Sequence, residues 1–194
     1  MKTGILSLPS SVLAGQKTLA HVVWIAGFSA LVAVGAQIEI PNQPVPYTLQ
    51  TFFVLLSGAL LGKRYGPVSQ ILYLLLGVAG LPVYSGWGFG IARLLGPTGG
   101  YLLSFPVASF VVGYLLEHHK DLLWSLVTMA IGLFVIFSLG TIQLNFVYFH
   151  NWRETAKAGA LIFSWWDAAK LVCAALLYHQ IIGRKSALRD SRGQ

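Results

Sequence analysis

Between residues 122 and 144 the chain carries no charged side chain, and comparable apolar stretches recur along its 194 residues, parted by short segments that hold most of the charge. A helix needs about 20 apolar residues to cross a bilayer, within a range of about 17 to 25. Charged residues make up 10% of the chain, whereas a soluble domain has about 25%. A surface so poor in charge does not stay dissolved, which excludes a soluble globular enzyme. The chain reads as an all-α integral membrane protein.

What charge there is leans basic, with 13 Lys and Arg against 6 Asp and Glu. In a soluble protein that excess would suggest a nucleic-acid partner. In an apolar chain it marks cytoplasmic loops instead, and no nucleic acid is expected. The single cysteine, Cys173, has no partner for an internal disulfide. The first seventeen residues contain Pro9 and Gly15 and no long apolar core, so a cleaved signal peptide is a poor fit.

The apolar stretches predict six spans, at about 18–38, 48–61, 67–81, 99–116, 122–144 and 159–182, forming one membrane domain over 1–194. Three prolines in the IPNQPVP segment, 40–46, keep it non-helical. A tight basic turn is expected at 62–66, and Pro67 suits the first position of the next helix. A kink is expected at Pro106 in the fourth span. Six spans put both termini on one side. That side holds Lys2, Lys17, Lys63, Arg64, Lys120, Arg184, Lys185, Arg189 and Arg192; the other holds Arg93, Arg153 and Lys157. The nine-to-three bias makes both termini cytoplasmic.

Two features carry chemistry. The last span contains Trp165, Trp166, Asp167 and Lys170 amid apolar residues. Each of the two charges costs roughly 2.5–3.5 kcal/mol at a helix centre, and the i, i+3 spacing puts them on one face. They read either as an interfacial pair or as a polar site facing the bundle interior, able to accept and donate at a group presenting both N–H and C=O. The glycine-rich loop at 82–100 is the second. It lacks the preceding strand of a dinucleotide fingerprint and the Gly-Lys-Ser/Thr of a Walker loop. Its one cation, Arg93, reads as a carboxylate anchor or as a contact for lipid phosphate. Thr48 and Gln50 either line the same outward cavity or cap the second span. The adjacent His118 and His119 point to different faces, so no metal site is expected. Small residues at Ala26, Ala30 and Ala33 make a face suited to close helix contact, whether inside the bundle or with a partner.

The stretches PVPYTLQTFFVLLSGALLGKRYG, YLLLGVAGLPVYSG, LLGPTGGYLL and WDAAK together resemble BioY, the biotin-binding substrate-specific (S) components of energy-coupling-factor (ECF) transporters; the likeness runs over about 20–182. The resemblance implies six helices around an external pocket and no catalysis or cofactor of the chain's own. It also implies partnership with a transmembrane coupling protein and two ABC ATPases that alone use ATP, in a prokaryotic plasma membrane. Carried over by residue, Asp167 would accept from the ureido N–H of biotin, Lys170 would donate to the ureido oxygen, and Arg93 would hold the valerate carboxylate. Gln50 with Tyr84 or Tyr101 would line the pocket, and Trp87, Trp165 and Trp166 would pack on the ligand body. Ala26 and Ala30 would meet the coupling protein. The competing readings are an S component for thiamine or riboflavin, a membrane-embedded enzyme, and a structural membrane partner.

Overall fold

The structure, a computed structural model, describes residues 10–155 and 165–190, with side chains at 18–155 and 165–183. Its main helices are α1 (Ser10–Gln37), α2 (Gln50–Val78), α3 (Ile91–Leu95), α4 (Gly99–Leu115), α5 (Leu122–Leu144) and α6 (Trp165–Asp190). Two-residue strands β1 (Glu39–Ile40) and β2 (Tyr47–Thr48) pair antiparallel between α1 and α2. The expected start of the last span at 159, and Lys2, Lys157 and Arg192, lie outside the described residues.

The second and third expected spans are the two halves of α2. The expected five-residue turn is one residue, Gly62, at φ 74°, ψ −177°. That left-handed backbone suits glycine, which has no Cβ to crowd the following carbonyl. The halves fold back on one another: Gln50 bonds Tyr73, Gln70 bonds Ser57, and a Cβ at Gly66 would lie 2.9 Å from the Ser57 carbonyl oxygen. Residues at 63–66 are helical, correcting the basic turn expected there.

Other expectations shift by less. The helix of α1 begins at Ser10, ahead of the apolar run, because nothing at 10–17 forbids helix once the span is fixed. The fourth helix runs through Pro106 without a non-helical residue, so no break accompanies that proline. The fifth helix matches its expected bounds, with the Asp121 carboxylate accepting from the Trp124 N–H at 3.0 Å as its N-cap. It continues as a π-helical turn, Asn145–Phe149.

Packing runs from α1 onto α2, from α2 onto α4 and from α4 onto α5, and α6 lies against both α5 and α2. An apolar core of Val54, Leu55, Tyr73, Met129, Leu133 and Ile136 also encloses polar side chains, and the outer surface is apolar as well. Ser57, Ser69, Gln70, Ser104, Ser109, Ser125 and Thr128 are fully buried, while Leu123 is 71% and Phe134 69% exposed. Large apolar side chains on the outer surface, with most of the buried polar groups hydrogen-bonded inside, fit lipid as the solvent. Thr18–Gln37 and Leu122–Phe149 are long and apolar enough to cross a membrane, with mean hydropathies of 1.9 and 2.3. The chain is a mostly helical membrane protein.

Candidate functional site

The site is built on the Thr-Leu-Gln-Thr sequence that opens α2. The Leu49 N–H donates to the carbonyls of Gly35 and Ile38, both at 3.0 Å, tying this segment to the end of α1. The Thr48 hydroxyl donates to Gln50 Oε1 at 2.9 Å, and Gln50 Nε2 donates to the Tyr73 hydroxyl at 2.6 Å. Tyr73 in turn donates to the Val83 carbonyl at 3.2 Å. One chain of hydrogen bonds thus joins the loop after α1 to the loop after α2. Thr48 lines the cavity and accepts from the Gln50 N–H at 3.4 Å, while the N-cap position itself is Leu49, with no side-chain cap.

The second loop is fixed by Tyr84. Its backbone bridges to Gly88, and Gln37 grips it by donating to the Tyr84 carbonyl at 3.0 Å and accepting from the Trp87 N–H at 3.1 Å. The Tyr84 hydroxyl donates to the Leu74 carbonyl at 2.8 Å, and burial pushes that phenol above its ordinary range. The ring rests on Gly77, where a Cβ would fall inside it. Tyr84 therefore offers the cavity its ring and not its hydroxyl.

Between these loops α6 delivers its ion pair. Asp167 and Lys170 are 2% and 5% exposed, with Lys170 Nζ 2.6 Å from Asp167 Oδ1. The ammonium also donates to the Thr51 hydroxyl at 2.7 Å and to the Thr48 carbonyl at 2.9 Å. A lysine has three donors, and all three are used. Full satisfaction is what makes burial bearable, since each desolvated ion costs several kcal/mol before pairing.

Asp167, Lys170, Thr48 and Thr51 open onto a cavity of about 60 Å³. Its wall includes five aromatic residues, Tyr47, Tyr84, Tyr101, Phe105 and Phe137. Arg93 reaches it from α3, with its guanidinium over Gly88, where a Cβ would lie 2.6 Å from Nε. Among the described residues no carboxylate pairs with Arg93; the ion pairs are Lys63–Glu117 and Lys170–Asp167. The cavity thus combines a neutralised polar pair, an apolar wall and one unneutralised cation. Chemically it suits a small, partly apolar anion that also carries a hydrogen-bonding head group.

Six expected site residues, Gln50, Tyr84, Arg93, Tyr101, Asp167 and Lys170, meet at this one cavity. Trp166 does not line it, and Trp87 and Trp165 are 68% and 78% exposed outside its wall. The apolar surface expected from tryptophans comes instead from tyrosines and phenylalanines. Ala26 and Ala30 are exposed on α1, clear of the cavity. No cluster of metal-ligating side chains occurs among the described residues. Sequence reasoning missed Thr51, Tyr47, Phe105 and Phe137. Thr51 was findable as the polar residue next to Gln50 at the start of the second span; Phe137 had no signal to part it from lipid-facing Phe134 in a charge-free helix.

A family model described as the BioY family matches residues 9–186. The chain is 47% identical over 150 residues to a biotin transporter BioY of Thermotoga maritima, covering 77% of this chain and 88% of that one. It is 39% identical over 163 residues to a probable biotin transporter BioY of Pyrococcus horikoshii, covering 84% and 96%. The fold is similar to the crystal structure of the S component for biotin from an ECF-type ABC transporter, at TM-score 0.81 and 24% identity, covering 87% of this chain and 93% of that one.

Proposed function

The chain belongs to the BioY family, and from that premise we propose that it is the biotin-capturing S component of an ECF-type importer. The observation that carries the reading is the meeting of the buried Asp167–Lys170 pair and the unneutralised Arg93 at one aromatic-walled cavity. Biotin has matching parts: a urea with two N–H donors and a C=O acceptor, an apolar fused ring, and a carboxylate tail. Asp167 accepts from the ureido N–H, Lys170 donates to the ureido oxygen, and Arg93 pairs with the carboxylate. Tyr84, Tyr101 and the neighbouring phenylalanines pack on the ring, and Gln50 holds the wall in place through Tyr73. A cationic vitamin such as thiamine is disfavoured by Arg93.

The chain performs no chemistry and uses no cofactor. It crosses the prokaryotic plasma membrane six times, with both termini cytoplasmic, and works with a transmembrane coupling protein and two ABC ATPases that consume the ATP. Support for six crossings comes from the antiparallel halves of α2 and from the nine-to-three basic bias. Ala26 and Ala30, left uncovered on α1, supply the contact face for the coupling protein.

Uptake of radiolabelled biotin by biotin-auxotrophic cells tests this reading. Cells making the chain together with a coupling protein and ATPases should accumulate biotin and stop doing so when the ATPase Walker lysines are replaced. Uptake no greater than in cells lacking the chain would contradict it.

A further inference from the structure

The ammonium of Lys170 has no donor to spare, although its proposed task is to donate to the ligand. Its three N–H bonds go to Asp167 Oδ1 at 2.6 Å, Thr51 Oγ1 at 2.7 Å and the Thr48 carbonyl at 2.9 Å. A ligand oxygen that joins Lys170 must take the place of one of these. Releasing Asp167 would leave a carboxylate that is 2% exposed without its counter-charge, which is the most costly exchange. Of the two neutral acceptors, the Thr48 carbonyl is the more distant and is chemically the same kind of acceptor as a urea oxygen. It sits in β2, beside the loop at 41–46, whereas Thr51 is fixed inside the first turn of α2 and is itself buried.

We propose that Thr51 is a positioning residue for ligand selectivity. Its hydroxyl and Asp167 hold Lys170 Nζ in place while a urea oxygen replaces the Thr48 carbonyl as the third acceptor. The polypeptide supplies its own carbonyl as a stand-in, and binding exchanges one C=O for another. The urea also brings N–H groups that can satisfy the carbonyl it displaces, so no buried acceptor is left bare. A ligand presenting a cation where biotin has its urea oxygen meets a fixed ammonium and is rejected. This inference rests on the biotin reading above.

The test compares the full chain in detergent with Thr51→Val and Thr51→Ser, each titrated with biotin and with 2-iminobiotin. At neutral pH 2-iminobiotin carries a protonated guanidinium in place of the urea. Valine keeps the shape of threonine and removes the hydroxyl; serine keeps the hydroxyl. For Thr51→Val, biotin affinity should fall about tenfold or more, because Lys170 Nζ is no longer held where the urea oxygen reaches it. Its affinity for 2-iminobiotin should change less than about threefold, so the preference narrows. Thr51→Ser should retain the wild-type preference. Wild-type biotin affinity in Thr51→Val would overturn the proposal, as would equal losses for both ligands or failure of both variants to give monodisperse protein, since each assigns Thr51 a purely structural role or none. An unmutated chain that is folded and binds no biotin would instead remove the biotin reading itself.

Discussion

Asp167 and Lys170 are neutral as a pair and costly apart. Replacing Asp167 with Asn leaves a buried ammonium facing an amide, and breaking a buried pair costs about 3–5 kcal/mol. We expect Asp167→Asn to weaken biotin binding at least about tenfold, measured by equilibrium binding; unchanged affinity would remove Asp167 from the site. Arg93 is exposed and has no carboxylate partner among the described residues, so its effect should be on the ligand and not on stability. Arg93→Ala should reduce affinity for biotin more than for biotin amide, and equal reductions would refute carboxylate pairing. These two features were legible in the sequence because a charge is conspicuous in an apolar run. The aromatic wall was not. Phe105 and Phe137 differ from lipid-facing aromatics only in which way they point, and a helix that is apolar all round does not disclose its inner face.

Among the elements, α2 and the loop after it do most to shape the cavity. Gly77 is where Tyr84 rests, and Tyr84 anchors the loop that leads into α3 and Arg93. In Gly77→Ala the added methyl displaces that ring; biotin affinity should drop while far-ultraviolet circular dichroism stays unchanged. At Gly62 a Cβ would meet no atom within 4 Å, so Gly62→Ala brings only left-handed backbone strain. With ψ at −177° this backbone is adopted readily by glycine alone, so the strain is about 1–3 kcal/mol, read as a lower thermal midpoint in detergent with ligand affinity preserved. The prolines at 40–46 and the glycines after residue 80 announced irregular backbone at these loops. They did not announce Gln37, Gln50 and Tyr73, whose side chains knit the loops together. Such contacts join residues far apart in the chain, and no local pattern encodes them.

At the scale of the whole molecule, the bundle separates two tasks. The cavity gathers the first turn of α2, the loop after α2, α4, α5 and α6, while α1 turns Ala26, Gly27 and Ala30 outward. A bulky residue on that face should therefore spare capture and block assembly. Ala30→Trp should bind biotin normally and fail to co-purify with the coupling protein; normal recovery of the complex would defeat the assigned contact face. The apolar runs and the charge bias on which the six-span expectation rests are legible in the sequence because lipid imposes both on any chain that crosses it. The reversal near Gly62 was readable too, but not its confinement to a single glycine, since the basic residues after it suggested a longer turn.

The central claim is that this cavity captures biotin, and equilibrium binding of radiolabelled biotin to the purified, detergent-solubilised chain tests it most directly. Biotin amide, thiamine and riboflavin serve as competitors. The account predicts tight one-to-one binding of biotin, weaker competition by the amide, and none by the two other vitamins. A folded, monodisperse sample that binds no biotin, or yields it to thiamine or riboflavin, would contradict the account.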